Sequence, residues 1–245
     1  MTIVISAPAT DNVCMRRLIY WVGMSIDGRI AGPRDEVDFF PQSEEYTRWM
    51  CEEYPETLPT HVRQHLGIDS SPSRHFDTVV MGWRTYEPAL RIGITSPYSH
   101  LRQYVVSSRQ QQRDPDVAVV SGDPAGLIRE LKSEDSESDI YLAGGAALAG
   151  SLLPEIDGLI IKLYPVVAGT GHPLFRAAFS PTLFSLADVR KFEGGNAVLT
   201  YQRRQADAMQ STMPSAPPAE RAQASAKTEK TERTGATPER SEDVT

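Results

Sequence analysis

Hydrophobic positions in this chain gather into short continuous runs separated by glycine, proline and polar residues. Such runs of four to nine residues, rich in β-branched and aromatic side chains, are typical of strands buried on both faces of a parallel sheet. The runs lie at residues 18–22, 76–81, 104–107, 117–120, 140–143 and 159–167. We therefore predict six strands, each starting or ending at a turn signal.

Helices are predicted where capping residues precede polar and apolar residues at helical spacing. Ser43, followed by two glutamates, begins one helix that runs to about Tyr54. Asp123 and Pro124 begin a second, which continues through Lys132. Further helical segments are predicted at residues 59–66, at 146–153 and directly after Gly82, the last of them closing at Pro88.

The order of these elements predicts the fold class. Strands alternate with helices through the middle of the chain, which favours a largely parallel sheet covered by helices on both faces. Residues 183–192 and 197–203, separated by Glu193-Gly194-Gly195-Asn196, read as a C-terminal antiparallel hairpin at the sheet edge. We expect a three-layer α/β domain.

Composition sets the limits of this domain. Residues 205–245 contain no Ile, Leu, Phe, Tyr or Trp and are rich in Ala, Ser, Thr, Glu and Pro. Such a segment buries too little apolar surface to offset its conformational entropy, so we predict a disordered tail. Residues 1–15 are predicted to be a flexible extension, which leaves one domain at 16–204.

Charge and cysteine content exclude several classes of function. The net charge is −7 and no basic run is present, which argues against nucleic-acid binding. No apolar stretch reaches the ~18 residues of a membrane span.

Cys14 and Cys51 provide no disulfide framework, which indicates a cytoplasmic protein. His61 and His65 lack the other ligands of a zinc site, so no metal is expected.

Three predicted strands end in small or polar residues just before a helix or turn. These corners are residues 81–85, 106–109 and 143–147, which we call the Gly82, Ser108 and Gly145 corners. In an open α/β sheet, ligands bind outside the carboxyl ends of the strands. Glycines permit close approach of the backbone to a pyrophosphate, while serine and arginine supply donors. Although the chain lacks a P-loop and a GxGxxG fingerprint, the three corners together favour a dinucleotide site.

The order of four motifs resembles the dihydrofolate reductase superfamily. They are Met24-Ser25-Ile26-Asp27-Gly28-Arg29-Ile30-Ala31, Val80-Met81-Gly82 with Arg84-Thr85-Tyr86-Glu87, Val106-Ser107-Ser108, and Ala143-Gly144-Gly145. The similarity covers about residues 17–203 and is greatest to the reductase half of the bifunctional riboflavin-biosynthesis deaminase–reductase. It implies NADPH as cofactor, hydride transfer to a C=N bond of a pyrimidine- or pteridine-like substrate, and often a homodimer.

The resemblance also implies roles for individual residues. Trp83 stands where many relatives carry a basic residue for the extra phosphate of NADPH, and Arg84 and Arg109 would compensate for it. The implied cofactor contacts are Gly82, Arg84 and Thr85 at the phosphates, Ser107, Ser108 and Arg109 around the adenosine ribose phosphate, Gly144, Gly145 and Ala146 along the pyrophosphate, and Gly23 and Ile30 beside the nicotinamide.

Reduction of an imine also needs a proton donor. In the superfamily an acidic residue early in the first helix serves this purpose, which points to Glu45, or to Glu44 beside it. The alternative is that both complement the helix dipole. Asp27 is the second catalytic candidate, although Asp-Gly is also an ordinary turn pair.

The leading prediction is thus an NADPH-dependent reductase similar to the 5-amino-6-(5-phosphoribosylamino)uracil reductase of riboflavin biosynthesis. Glu87-Pro88-Ala89-Leu90 replaces the Asp-Asp-Pro-x-Leu-Thr type segment that those reductases use at the substrate. Two alternatives remain: a reductase of dihydrofolate or of another small imine or carbonyl, and a non-catalytic nucleotide-binding domain.

Overall fold

The structure, a computed structural model, describes residues 15–204. Ten strands and five α-helices follow one another along this part of the chain. They are β1 (Leu18–Ser25), β2 (Arg29–Ala31), α1 (Glu44–Glu53), α2 (Thr60–His65), β3 (Phe76–Gly82), α3 (Trp83–Arg91), β4 (Arg102–Val106), β5 (Val117–Val120), α4 (Pro124–Lys132), β6 (Asp139–Gly144), α5 (Ala146–Ser151), β7 (Gly158–Tyr164), β8 (His172–Pro173), β9 (Phe184–Lys191) and β10 (Ala197–Arg203).

Eight of these strands form one sheet in the order β5-β4-β3-β6-β1-β7-β10-β9. The first six are mutually parallel, whereas β10 runs antiparallel to both β7 and β9. The remaining strands, β2 and β8, form a separate antiparallel pair. The predicted fold class, a mostly parallel sheet with a C-terminal antiparallel hairpin, is confirmed.

Helices cover both faces of the sheet, because alternate residues of the buried strands point to opposite sides. Trp21 of β1 packs in one cluster with Tyr46 of α1 and Tyr86 of α3. Tyr20, the preceding residue, belongs to a second cluster that includes Ile128 of α4 and Leu148 of α5. The three-layer arrangement therefore follows from apolar residues at consecutive positions along β1.

The chain enters the sheet at Arg16, whose side chain is fully buried. Its guanidinium contacts Asp77, donates to Glu134 at 2.7 Å and donates to the Ser138 carbonyl at 2.9 Å. Residues 1–14 and 205–245 lie outside the described residues, so the predicted extension and disordered tail stay predictions.

Several boundaries differ from those expected. Strand β1 continues through Gly23 to Ser25, beyond the strand predicted at residues 18–22. A Cβ on Gly23 would lie 2.9 Å from Cε2 of Tyr164, so this glycine serves close packing within a strand. Pro88 lies inside α3, where it replaces one backbone donor, and does not close the turn. The β2–β8 pair was not predicted, because its strands are only three and two residues long.

Candidate functional site

The three glycine- and serine-rich corners lie along one edge of the main sheet. Strand β3 sits between β4 and β6, with Gly82 paired to Val106 and Met81 paired to Gly144. A Cβ on Gly82 would lie 3.6 Å from the Gly144 carbonyl oxygen and 3.8 Å from the Gly145 nitrogen. The tertiary structure thus brings together the Gly82, Ser108 and Gly145 corners at the carboxyl ends of adjacent parallel strands.

Backbone conformation explains the glycines of the Gly145 corner. Gly144 has φ +106°, which side-chain-bearing residues rarely adopt, and its peptide bond to Gly145 is cis. Gly145 itself has an ordinary φ of −90°. A Cβ at this position would meet only Thr85 Oγ1, at 3.6 Å. The surface over Gly145 is therefore open enough for a ligand to approach the backbone, with Thr85 beside it and Ala146, the next residue, buried.

The amino terminus of α3 faces this edge. Its N-cap residue, Gly82, has no side chain to accept from the first-turn N–H groups of Trp83, Arg84 and Thr85. Free N–H groups and the positive end of the helix dipole favour an anion here. The nine-residue helix and the two glycine corners together form a surface suited to phosphate groups.

The Arg84 guanidinium is already held by other side chains. Its Nη2 lies 2.9 Å from both carboxylate oxygens of Asp35 and 3.3 Å from Nε2 of His172. Nε2 of His172 also lies 3.0 Å from Asp35 Oδ1. Arg84 therefore lies beside the predicted phosphate site but shares its charge with a carboxylate from the loop after β2.

The Ser108 corner follows β4. The Ser107 hydroxyl accepts from the N–H groups of Arg109 (3.4 Å) and Gln110 (3.1 Å), which forms a tight turn. The Ser107 N–H donates to the Val120 carbonyl at the end of β5. Ser108 and Arg109 are exposed, and nothing in the described chain holds the Arg109 side chain. These two residues present free donors beside Gly82.

The two residues assigned to the nicotinamide lie on different faces of the sheet. The Tyr164 ring covers Gly23, and Phe40 stacks on Tyr164 with ring centroids 4.5 Å apart. Ile30 of β2 packs with the cluster on the α4–α5 side. Gly23 thus borders an aromatic group, and Ile30 lies away from it.

The Asp27 carboxylate connects the turn after β1 to the loop after β7. Its Oδ1 accepts from the Ser25 hydroxyl (2.6 Å) and the Ala168 N–H (2.9 Å), and its Oδ2 accepts from the Gly169 N–H (2.7 Å). These hydrogen bonds, that from Ser25 first, lower the pKa of Asp27 to about 2. The carboxylate is ionised at neutral pH, so it offers no proton to a substrate.

Glu45 is exposed, and its carboxylate already accepts a hydrogen bond. Its Oε2 accepts from the backbone N–H of Glu193 at 2.8 Å, which ties α1 to the β9–β10 turn. Glu44 beside it is exposed on the first turn of α1. Ser43 caps the same helix by accepting from the Tyr46 N–H at 3.2 Å. The predicted acid therefore lies at the end of α1 that supports the hairpin.

Sequence reasoning missed the polar groups beneath α1. The hydroxyls of Tyr46 and Tyr164 lie 2.9 Å apart in the core. Lys162 of β7 is partly buried, with its Nζ 4.9 Å from the centroid of the Trp21 ring. Burial lowers the pKa of Lys162 to about 8. A single lysine within the apolar run Leu159-Ile160-Ile161-Lys162-Leu163 was the available signal for this group.

Two concave regions lie away from the glycine corners. One cavity of about 250 Å³ is at the amino ends of β1 and β7 and includes Arg17, His75 and Asp157. The other, about 370 Å³, lies beside α1 and includes Arg48 and Arg74. Neither touches the corner residues, which lie at the carboxyl edge where ligands of open α/β sheets bind.

Metal-binding clusters and membrane-spanning helices are absent from residues 15–204. Between residues 15 and 204, no group of three or more His, Cys, Asp or Glu side chains is arranged to hold a metal ion. In the same part of the chain, no helix combines the length and apolar character needed to cross a bilayer.

Comparison with known proteins places the fold. No family model matches the chain. The Bacillus subtilis (strain 168) protein YwjB, described as uncharacterized, is 28% identical over 186 residues, which is 75% of this chain and 95% of YwjB. A second protein of the same strain, YyaP, also described as uncharacterized, is 24% identical over 199 residues, or 78% of this chain and 97% of YyaP.

Solved structures of other proteins share the fold of this chain. A Shewanella sp. PV-4 structure named "Putative riboflavin biosynthesis protein" matches with a TM-score of 0.59 and 23% identity, over 77% of this chain and 99% of that one. A diaminohydroxyphosphoribosylaminopyrimidine deaminase/5-amino-6-(5-phosphoribosylamino)uracil reductase from Thermotoga maritima matches with a TM-score of 0.51 and 15% identity, over 78% of this chain and 57% of that one. The chain therefore shares its α/β fold with these riboflavin-biosynthesis structures.

Proposed function

We propose that this protein is an NADPH-dependent reductase that transfers a hydride to a C=N bond of a pyrimidine- or pteridine-like substrate. The proposal depends on one observation. Three corners whose backbone N–H groups and polar side chains can bind an anion follow β4, β3 and β6, and they lie next to one another at a single edge of the sheet. A dinucleotide needs several phosphate contacts along one surface, and these corners supply them from adjacent strands.

The residues of this edge fit the phosphates of such a cofactor. The open backbone of Gly82 and Gly145 admits close approach, and the first turn of α3 offers free N–H groups. Ser108 and Arg109 supply exposed donors for the ribose phosphate, with Arg84 nearby. When bound, NADPH would supply the hydride, while the chain holds its phosphates and orients the substrate.

Aromatic side chains support a planar substrate. Phe40 is half-buried and stacks on Tyr164 beside Gly23, and flat heteroaromatic rings stack favourably on such a side chain. The riboflavin-biosynthesis names of two structural neighbours point in the same direction. The pyrimidine or pteridine class is therefore favoured over an aliphatic carbonyl compound.

A second candidate is a non-catalytic nucleotide-binding domain. It is favoured by the state of the two predicted acids, since Glu45 accepts from Glu193 and Asp27 accepts from three donors. A domain with these groups committed to structure would bind the nucleotide without turnover.

Thermal-shift measurements with NADPH and NADH, followed by NADPH-oxidation assays with pterins and aminouracils, test both candidates. We expect NADPH to raise the melting temperature more than NADH does, because bound ligand stabilises the folded state. An absent shift contradicts both candidates. A shift without turnover of any pterin or aminouracil favours the binding domain.

A homodimer is also proposed. Strand β9 is an edge of the sheet. Leu186 pairs with Tyr201 and Val189 with Leu199, and the register shift between these pairs puts Leu186 and Val189 on one face. Both of these β9 side chains are exposed. Such apolar edges promote pairing with a second copy. Light scattering coupled to size exclusion should give twice the chain mass, and Leu186→Asp should give the monomer mass. A monomeric wild type contradicts this assembly.

A further inference from the structure

Lys162 stands out among the charged residues of the domain. It lies in the middle of β7, between β1 and β10, with Gly23 and Val198 as its register partners. Its neighbours on this face are largely apolar or aromatic, including Trp21, Trp49 and Met50. A lysine is seldom kept in such surroundings unless it is paired or used in function.

The Lys162 ammonium has no anionic partner in the described part of the chain. Its Nζ lies 4.9 Å from the centroid of the Trp21 ring. The Trp21 indole N–H is itself buried and donates to no atom of residues 15–204. Two donors on neighbouring strands thus lack an acceptor. A substrate with carbonyl or imine groups carries acceptors of this kind.

The position of Lys162 relates it to the proposed cofactor edge. Along β1, Tyr20 pairs with Leu142, which sets Val22 level with Gly144. Gly23 pairs with Lys162 one residue further on. Lys162 is therefore at the height of the Gly145 corner and two strands away, which is about 10 Å across the sheet.

Other titratable groups near Lys162 cannot take its place. Those on the elements packed against it are Tyr46 and Tyr54 of the α1 region, Tyr164 of β7, and Asp188 and Arg190 of β9. Burial raises the pKa of all three tyrosines, that of Tyr54 to about 12, so none exchanges a proton readily near neutrality. Asp188 and Arg190 lie two strands away on β9, where Asp188 is exposed and the Arg190 guanidinium packs over the Trp49 ring, 5.3 Å from its centroid.

We propose, on the basis of the proposed reductase function, that Lys162 is the proton donor of the reduction. As the substrate carbon accepts the hydride, the electron pair of the C=N π bond moves to nitrogen. An N–H bond of the Lys162 ammonium breaks, and the proton forms the new N–H bond of the product. Lysine is left neutral, the nicotinamide is oxidised, and solvent returns a proton to lysine before the next turnover. The pKa of Lys162, about 8, suits an acid at neutral pH.

The first test measures Lys162 in the protein without ligand. The chain contains five lysines, so ε-¹³C-lysine labelling gives a simple spectrum, and the signal lost in Lys162→Met identifies the residue. We expect this signal to titrate near pH 8, below the ordinary lysine pKa of 10.5. A midpoint at that ordinary value overturns the proposal.

The second test uses turnover and cofactor binding together. Lys162→Met should lower kcat by about 100-fold or more, while the thermal shift with NADPH stays unchanged. Lys162→Arg keeps the charge but holds its protons too tightly to donate them. Its kcat should therefore also fall, and the decline of kcat above about pH 8 should disappear. Lys191→Met is the matched control and should retain the wild-type kcat.

The outcomes separate the inference from the proposed function. Wild-type turnover that persists in Lys162→Met with an unchanged pH profile overturns the role of Lys162 and leaves the reductase standing. Wild-type protein that binds NADPH but reduces no pterin or aminouracil overturns both.

Discussion

The Nη2 nitrogen of Arg84 lies 2.9 Å from each carboxylate oxygen of Asp35, at the edge where the three corners meet. Asp35 has a φ of +68°, an unusual backbone conformation for a residue that is not glycine. The pair links the loop after β2 to the first turn of α3. It also places a negative charge beside the proposed phosphate site, where it opposes an anionic ligand.

Asp35→Asn should therefore strengthen NADPH binding. Asparagine tolerates a positive φ, so the loop keeps its conformation while the opposing charge is removed. We expect the Kd, measured by calorimetry, to fall by about two- to fivefold, consistent with the ~0.5–1 kcal/mol of a partly exposed charge pair. Arg84→Met should raise the Kd by about tenfold. Weaker binding by Asp35→Asn would show that the pair positions Arg84 rather than competing for it.

Gly145→Ala separates folding from cofactor binding. The added Cβ meets Thr85 Oγ1 at an ordinary 3.6 Å and the φ of −90° suits alanine, so the melting temperature should change little. If a pyrophosphate contacts this backbone, the methyl group should weaken NADPH binding by about tenfold or more. Gly126→Ala in α4, whose near neighbour is the flexible Asp123 side chain, is the control and should leave binding unchanged. Equal affinities of the two variants would remove Gly145 from the site.

Asp27→Asn should reduce stability in a pH-dependent way. The pKa of Asp27 in the folded protein, about 2, is below its ordinary value of 3.8, so the ionised carboxylate stabilises the native state. This contribution is present above about pH 4 and is lost as the pH falls towards 2. We expect the variant to melt a few degrees lower at pH 6, with the difference shrinking below pH 4.

Asp38→Asn, at another exposed carboxylate, should show no such difference. A loss of kcat by about 100-fold in Asp27→Asn at an unchanged melting temperature would support the catalytic role predicted from the sequence.

Glu56→Ala should be strongly destabilising. Glu56 is fully buried, and its Oε1 accepts from the N–H groups of His75 (2.8 Å) and Phe76 (3.2 Å). The substitution leaves these two N–H groups without their acceptor. Each unpaired buried donor costs about 1–3 kcal/mol, which denaturant unfolding can measure. Glu53→Ala, which breaks an exposed ion pair with Arg74, should cost less than about 1 kcal/mol. A cost for Glu56→Ala near that of Glu53→Ala would contradict this account.

The sequence by itself determined the layers of the fold and the edge at which the corners meet. Apolar runs that end at Gly82, Val106 and Gly144 require buried parallel strands, and parallel strands end at the same edge. The hairpin at Gly194–Gly195 was equally visible, because turn residues separate two β runs.

Only the tertiary structure decided what the polar side chains do. Glu45 and Asp27 looked available in the sequence, but each accepts from backbone N–H groups more than 130 residues away. Lys162 becomes a candidate acid because β7 places it beside Gly23 and over Trp21. Local pattern fixes strands and turns, since these depend on neighbouring residues. The partners of a charged group depend on long-range packing, which no local pattern records.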